Sequence, residues 1–319
     1  MAKKGKDIFK AAHLLSENAL VSIPTETVYG LAANALEEDA VVKIFEVKNR
    51  PSFDPLIVHI SDINQLSNLV SHFPDKARVL AERFWPGPLT LLLEKRSIIP
   101  DIVTAGLPTV AIRIPDHPLT LELLSKLSFP LAAPSANPFG YVSPTTAQHV
   151  DDQLGGKLSY ILDGGPCRIG IESTIIGFNK EMPVIHRLGG KSIEDIEKIV
   201  GEVVVMKHSS SRPSSPGTLS SHYSPNKVVI LGDMASFHGK IDPARTALLR
   251  FKEYDDEMPK ENQIILAQSG EVKEAAKNLF AAMRELDLMD VDQIVAEILP
   301  EEGLGRAIND RLRRASSSA

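Results

Sequence analysis

Along residues 1–207 the apolar positions follow two alternating periods. The segments "IFKAAHLLSE", "DAVVKIFEVKN", "INQLSNLV", "DKARVLAERFW", "HPLTLELLSKL", "TTAQHVDDQL" and "SIEDIEKIVG" space their apolar residues by three and four, which predicts helices. Asp39 stands as a cap for the second of these, a threonine for the sixth, and Ser192 with Asp195 forms a capping-box-like pair for the seventh. Short apolar runs lie between them: "ALVSIP", "PLIVHI", "LTLLLEK", "TVAIRIP", "PLAAPS", "SYILDG", "STIIGF" and "PVIHRLG". These read as strands, and the last three stand too close together for helical crossovers, so the sheet is expected to be mixed. The opening "MAKKGKD" reads as a short basic tail before the first helix.

The pattern then breaks. Residues 209–225, "SSSRPSSPGTLSSHYSP", have the serine and proline content of a linker but end in His222 and Tyr223, side chains a plain connector does not need. Beyond it, "KVVILGD", "TALLRF" and "NQIILAQ" are strand-like. "EVKEAAKNLFAAMRELD" is an amphipathic helix with Leu279, Phe280, Met283 and Leu286 on one face, and "GLGRAINDRLRRAS" is a second helix. The expected organisation is an α/β domain over 1–207, a linker over 208–226 and a small α/β domain over 227–319.

Composition narrows the classes. The chain has 319 residues, 43% hydrophobic and 24% charged, the profile of a globular protein. No apolar run is long enough for a membrane span. One cysteine, Cys167, excludes an internal disulfide framework and a cysteine-cluster zinc site, and fits a cytoplasmic, reducing setting. The net charge of −6 divides evenly: 21 Lys+Arg against 24 Asp+Glu in 1–207, and 14 against 17 in 208–319. Neither part carries a broad basic surface, so tight tRNA binding is not expected, although a local basic pocket remains open. The P-loop, the dinucleotide fingerprint, HExxH and GxSxG are all absent.

Four clusters carry candidate chemistry. "PTETVYGL" (24–31) puts Thr25 and Thr27 after a strand. "KNRPSFDPLIVHI" (48–60) puts Lys48 and Arg50 at a helix end, with Pro51 stopping the helix and His59 inside an apolar strand, where a core histidine is the ordinary reading. "PTVAIRIP" (108–115) sets Arg113 among Val, Ala and Ile, which calls for an internal carboxylate or an anionic ligand. "APSANPFGYVSPTT" (133–146) brings Ser135, Asn137 and Ser143, followed by Ser173 in "GIESTII" and Arg187 in "IHRLG". Together these form a donor-rich set suited to carboxylates, carbonates and phosphates, with no Ser-His-Asp arrangement and no carboxylate pair.

The same clusters, with "FWPGPLTLLL", "VAIRIPDHP", "ESTII" and "RLG" in order over about residues 14–200, resemble the YrdC-like threonylcarbamoyl-AMP synthases. "SPGTLSSHYSP" and "GLGRAINDRLRRAS" resemble the long, two-domain branch of that family. The resemblance implies a twisted mixed α/β sheet with helices and a deep electropositive cavity, plus a small Rossmann-like α/β domain. It implies a nucleotidyltransferase: L-threonine, bicarbonate and ATP give threonylcarbamoyl-AMP and pyrophosphate. A tRNA threonylcarbamoyl transferase then takes the product for the t6A modification of the anticodon loop. Mg²⁺ would arrive on ATP, with no ligand from the protein.

By motif, Thr27, His59, Arg113, Ala133 and Ser173 would hold threonine. Lys48, Arg50, Asp54, Thr109, Ser135, Asn137, Ser143, Arg187 and Tyr223 would hold ATP, with Lys48 and Arg50 also facing bicarbonate. Where many relatives read Asn-Pro-Leu, this chain has Asp54-Pro55-Leu56, so Asp54 would reach the nucleotide directly or through water or magnesium. Pro216, Gly217, His222 and Tyr223 would fold over the mouth as a lid. A different class, a non-catalytic RNA- or ribosome-binding module on the same fold, is opposed by the acidic balance and the complete donor set. The carbamoyl-transfer domain of hydrogenase maturation proteins needs cysteine-rich zinc motifs that this chain lacks.

Overall fold

The computed structural model describes residues 1–206, 215–217, 223–232, 236–237 and 239–317. Their strands are β1 (Lys3–Gly5), β2 (Val21–Ile23), β3 (Gly30–Asn34), β4 (Ile57–His59), β5 (Leu89–Glu94), β6 (Thr109–Arg113), β7 (Leu131–Ala132), β8 (Tyr160–Leu162), β9 (Thr174–Asn179), β10 (Met182–Arg187), β11 (Val204–Val205), β12 (Val228–Gly232), β13 (Thr246–Arg250), β14 (Gln263–Ile265) and β15 (Gln293–Glu297). The helices are α1 (Ile8–Ser16), α2 (Glu38–Lys48), α3 (Leu66–Leu69), α4 (Asp75–Phe84), α5 (Asp101–Thr104), α6 (Pro118–Ser125), α7 (Ala147–Leu154), α8 (Ile193–Val200), α9 (Val272–Leu288) and α10 (Gly305–Ser316).

Eleven strands make one sheet in the order β1-β8-β2-β3-β7-β4-β6-β5-β9-β10-β11, and the last four make a second, β12-β15-β13-β14. The first is mixed, as the close strand spacing requires: β4 runs parallel to β6, while β5–β6 and β9–β10 are antiparallel. The second is wholly parallel. Alternation sorts the central strands. Val58 and Ile112 face the main core beneath helices α2 and α4. Their neighbours Ile57 and Ala111 join Leu92 and Ile175 in a small apolar floor on the opposite face. His59 and Arg113, two residues further along, share that second face and are register partners. The polar ends of two adjacent parallel strands therefore meet above an apolar floor.

Three local readings are revised. The basic opening is an edge strand, with Lys3–Gly5 pairing in parallel with β8. The N-cap of α2 is Glu37, and Asp39 lies inside the first turn, where its charge favours the helix dipole. That helix is ended by Asn49 in the left-handed conformation, before Pro51 is reached. The caps at Thr146 and Ser192 form as expected, each side chain accepting a backbone N–H. In the second sheet the strand between α9 and α10, β15, fills a central position that the apolar pattern left unread.

The two sheets share a hydrophobic cluster. Val28, Val142 and Ile171 of the first part pack with Leu279, Phe280, Met283 and Leu286 of α9 and with Ile308 and Leu312 of α10. The two parts come close together at Gly170, whose backbone has φ +80° and lies so near α9 that an added Cβ would fall 2.6 Å from the Ala276 carbonyl oxygen. Among the described residues no helix is long and apolar enough to cross a membrane.

Candidate active site

A polar cavity of about 50 Å³ opens over the apolar floor. Its walls include Thr25, Thr27, Arg50, His59, Arg113, Ala133, Ser135, Ser173, Arg187, Pro216, Gly217 and Tyr223. One side is set by the turn after β2. Thr25 Oγ1 donates to the Val28 carbonyl at 2.6 Å and accepts from the amides of Thr27 and Val28, so a hydroxyl closes the turn. Arg113 Nη1 donates to Thr27 Oγ1 at 3.1 Å. Its Nη2 donates to both oxygens of Glu26 at 2.6 and 2.7 Å, a pair in which both residues are buried. Arg113 thus has the internal carboxylate and still lines the cavity. Its Nε has no hydrogen-bond partner among the described residues. His59 Nδ1 lies 3.2 Å from the Ile57 carbonyl oxygen. Burial, reinforced by the Arg113 charge, pulls its pKa down to about 3, so the imidazole is neutral at physiological pH. Ser173 Oγ is 2.7 Å from Thr90 Oγ1 and accepts from Arg187 Nη2.

A second side is the cationic corner after α2. Lys48 is buried and its Nζ donates to the main-chain carbonyls of Ser135, at 2.6 Å, and Asn137. Burial first, and Arg50 second, push its pKa well below the ordinary lysine value. Lys48 therefore ties the corner to the 135–137 turn, and that turn places Ser135 on the cavity wall. Arg50 donates from Nη2 to the Pro55 carbonyl at 2.8 Å and pairs with Asp54 at 2.9 Å. Asp54 is fully buried and turned onto Arg50, away from the lining. Asn137 spends its amide on the Pro138 and Tyr141 carbonyls. Thr109 starts β6 two residues before the Ile57–Ala111 pair, alongside Pro55 and outside the cavity.

The third side belongs to residues far apart in sequence. Arg187 Nε and Nη2 donate to the Ser173 carbonyl, and Nη1 to the Pro216 carbonyl at 3.1 Å. Burial lowers its pKa to about 10, which leaves it charged. Gly217 has φ +64°, and a Cβ there would sit 2.9 Å from Arg187 Nη1. Tyr223, 1% exposed, stacks on Phe280 with ring centroids 5.5 Å apart, and the guanidinium carbons of Arg311 and Arg314 lie 5.3 and 4.9 Å from its ring centre. Glu172 accepts from Ser143 Oγ at 2.6 Å and from Arg311 Nε and Nη2 at 3.2 and 3.1 Å. His222 lies outside the described residues.

Reading the sequence missed Glu26, Glu172 and Arg311. The two carboxylates were in plain view inside "PTETVYGL" and "GIESTII", each a charge within an otherwise small or apolar motif. Among the described residues no group of three or more His, Cys, Asp or Glu is placed to hold a metal ion. Both oxygens of Glu172 are already occupied by donors. The donor set suits an anion.

The sequence profile described as Telomere recombination, shared by Sua5, YciO and YrdC proteins, matches residues 13–189. The chain belongs to this family. A second profile, described as Threonylcarbamoyl-AMP synthase, C-terminal domain, matches residues 191–317. Threonylcarbamoyl-AMP synthase of Pyrococcus abyssi is 43% identical over 318 residues, covering 96% of this chain and 93% of that protein. The Bacillus subtilis enzyme of the same name is 43% identical over 97% of this chain and 92% of its own length. The crystal structure of P. abyssi Sua5 complexed with L-threonine superposes with a TM-score of 0.91 at 41% identity, covering 99% of this chain and 98% of that one. The two-sheet architecture is therefore that of Sua5.

Proposed function

We propose that this protein is an L-threonylcarbamoyladenylate synthase, a nucleotidyltransferase that joins L-threonine, bicarbonate and ATP. The observation that carries the reading is the meeting of two donor sets at one cavity. Arg113, Thr27, His59 and Ser173 form one wall, and Arg50, Ser135 and Arg187 form another. The first set suits a zwitterionic amino acid: Arg113 lines the cavity as a cation for a carboxylate, while the neutral His59 adds no competing charge. The second suits a triphosphate, with Arg50 and Arg187 as charge partners.

The threonine amine adds to bicarbonate with loss of water, giving a carbamate. A carbamate oxygen then attacks the α-phosphorus of ATP, the bond to the β-phosphate oxygen breaks, and pyrophosphate leaves. The protein's part is positioning and charge neutralisation, and no enzyme nucleophile is needed. Mg²⁺ enters as part of the MgATP substrate. The product would pass to a tRNA-modifying transferase that makes t6A.

The 50 Å³ cavity is well below the ~300 Å³ or more of ordinary small-molecule sites. ATP would therefore enter only when Ser215–Gly217 and Tyr223 withdraw, and their return would keep water from the labile mixed anhydride. The test is pyrophosphate release by purified protein with MgATP, L-threonine and bicarbonate, each omitted in turn, and mass spectrometry of the adenylate. Release should require both threonine and bicarbonate. Release indifferent to threonine would overturn the reading. Tyr223→Ala should bind threonine normally yet lose adenylate to hydrolysis faster, read as a lower ratio of trapped adenylate to pyrophosphate.

A further inference from the structure

The last helix places a charged side chain behind a site formed by the first sheet with Pro216, Gly217 and Tyr223. Arg311 is fully buried and is the largest such side chain in the molecule's described residues. Its Nε and Nη2 point at one oxygen of Glu172, and its Nη1 at the Leu188 carbonyl at 2.6 Å. Glu172 gives its other oxygen to Ser143. Glu172 lines the same cavity as Arg187, one of the two cations offered to the nucleotide, and Arg187 donates to the carbonyl of Ser173, the residue next to Glu172. Domain docking alone does not explain this arrangement. The apolar cluster of α9 and α10 already joins the two parts, and a buried ion pair is commonly matched or bettered in stability by apolar side chains.

We infer that Arg311 is a positioning residue for the nucleotide subsite: by holding Glu172 against Ser143 it keeps that carboxylate from neutralising Arg187. With Arg311 in place, Glu172 has both oxygens engaged and Arg187 is left to pair with a phosphate. Without Arg311, Glu172 keeps only Ser143 as its partner and shares the cavity lining with Arg187, the cation the substrate needs. The second domain would then set nucleotide affinity through one side chain without touching substrate.

The inference rests on the synthase reading, so the wild-type protein is first shown to release pyrophosphate in a threonine-dependent way. Failure there overturns that reading and not the relay. Arg311→Met keeps length and removes charge. It should raise the KM for ATP about tenfold, since it leaves a buried carboxylate unpaired beside the site. kcat at saturating ATP and the L-threonine dissociation constant should stay within about twofold. In the Glu172→Gln background the same substitution should change the KM for ATP by less than about twofold, because the competing charge is gone. Arg311→Lys, which keeps the charge, should fall between wild type and Arg311→Met and supplies the comparison if the methionine variant does not fold. An unchanged KM for ATP, a rise not relieved by Glu172→Gln, or a joint loss of ATP and threonine affinity would each overturn the proposal.

Discussion

The guanidinium of Arg113 is anchored through both terminal nitrogens, and its Nε is buried. Glu26 takes Nη2 with both oxygens and Thr27 takes Nη1, while Nε faces no protein acceptor. Because both charges are buried, Glu26→Ala strands a cation and should cost about 3–5 kcal/mol, measured by urea unfolding. His59 sets a pH signature at the same scale. Its folded pKa of about 3 lies below the unfolded value of 6.5, so the unfolded chain binds the extra proton between these values. The stability that a neutral His59 provides is complete above pH 6.5 and is lost as pH falls toward 3. From pH 7.5 to 4.5 this group should cost on the order of 3 kcal/mol, and His59→Gln should remove that share of the acid loss. Arg113 itself was conspicuous in the sequence as a lone cation in an apolar strand. Its partner was not, because Glu26 lies 87 residues away and only the sheet order brings them together.

At the scale of elements, the helices with apolar residues three and four apart were legible, and α9 buries the four residues that its periodicity named. Strands β1 and β3 were missed for opposite reasons. "KKG" is polar because it sits at a sheet edge, and "GLAAN" is too small and too uniform to alternate. Motif-bearing turns were read because they follow strands, whereas contacts between elements of different sheets leave no local trace. Gly170 is such a contact. It was unremarkable in sequence, yet its positive φ and the nearby carbonyls of α9 leave no room for a side chain. Gly170→Ala should lower stability by at least about 2 kcal/mol through backbone strain and a forced parting of the two sheets. Thermal melting, together with a larger scattering radius, would report it.

For the whole molecule, the apolar cluster that joins Val28, Val142 and Ile171 to α9 and α10 makes two sheets one cooperative unit. Calorimetry should show a single unfolding transition with matching calorimetric and van't Hoff enthalpies. A chain ending at Met206 should lose solubility, because that truncation bares this apolar surface and leaves Glu172 without Arg311. The cavity belongs to both halves in the same way: its walls come from the first sheet and from Pro216, Gly217 and Tyr223, and Tyr223 is backed by Phe280, Arg311 and Arg314. Biosynthesis exposes a consequence of that arrangement. Glu172 precedes Arg311 by 139 residues, an interval of roughly 7–28 s at ordinary elongation rates of about 5–20 residues per second. In the later part of this interval, once β11 has been made, a nascent chain has all the strands of its first sheet while its carboxylate lacks its cation and its docking face is bare. Newly made protein should pass through a stage at which its first sheet is complete and its apolar docking face is uncovered, and that stage is where a holding chaperone would act.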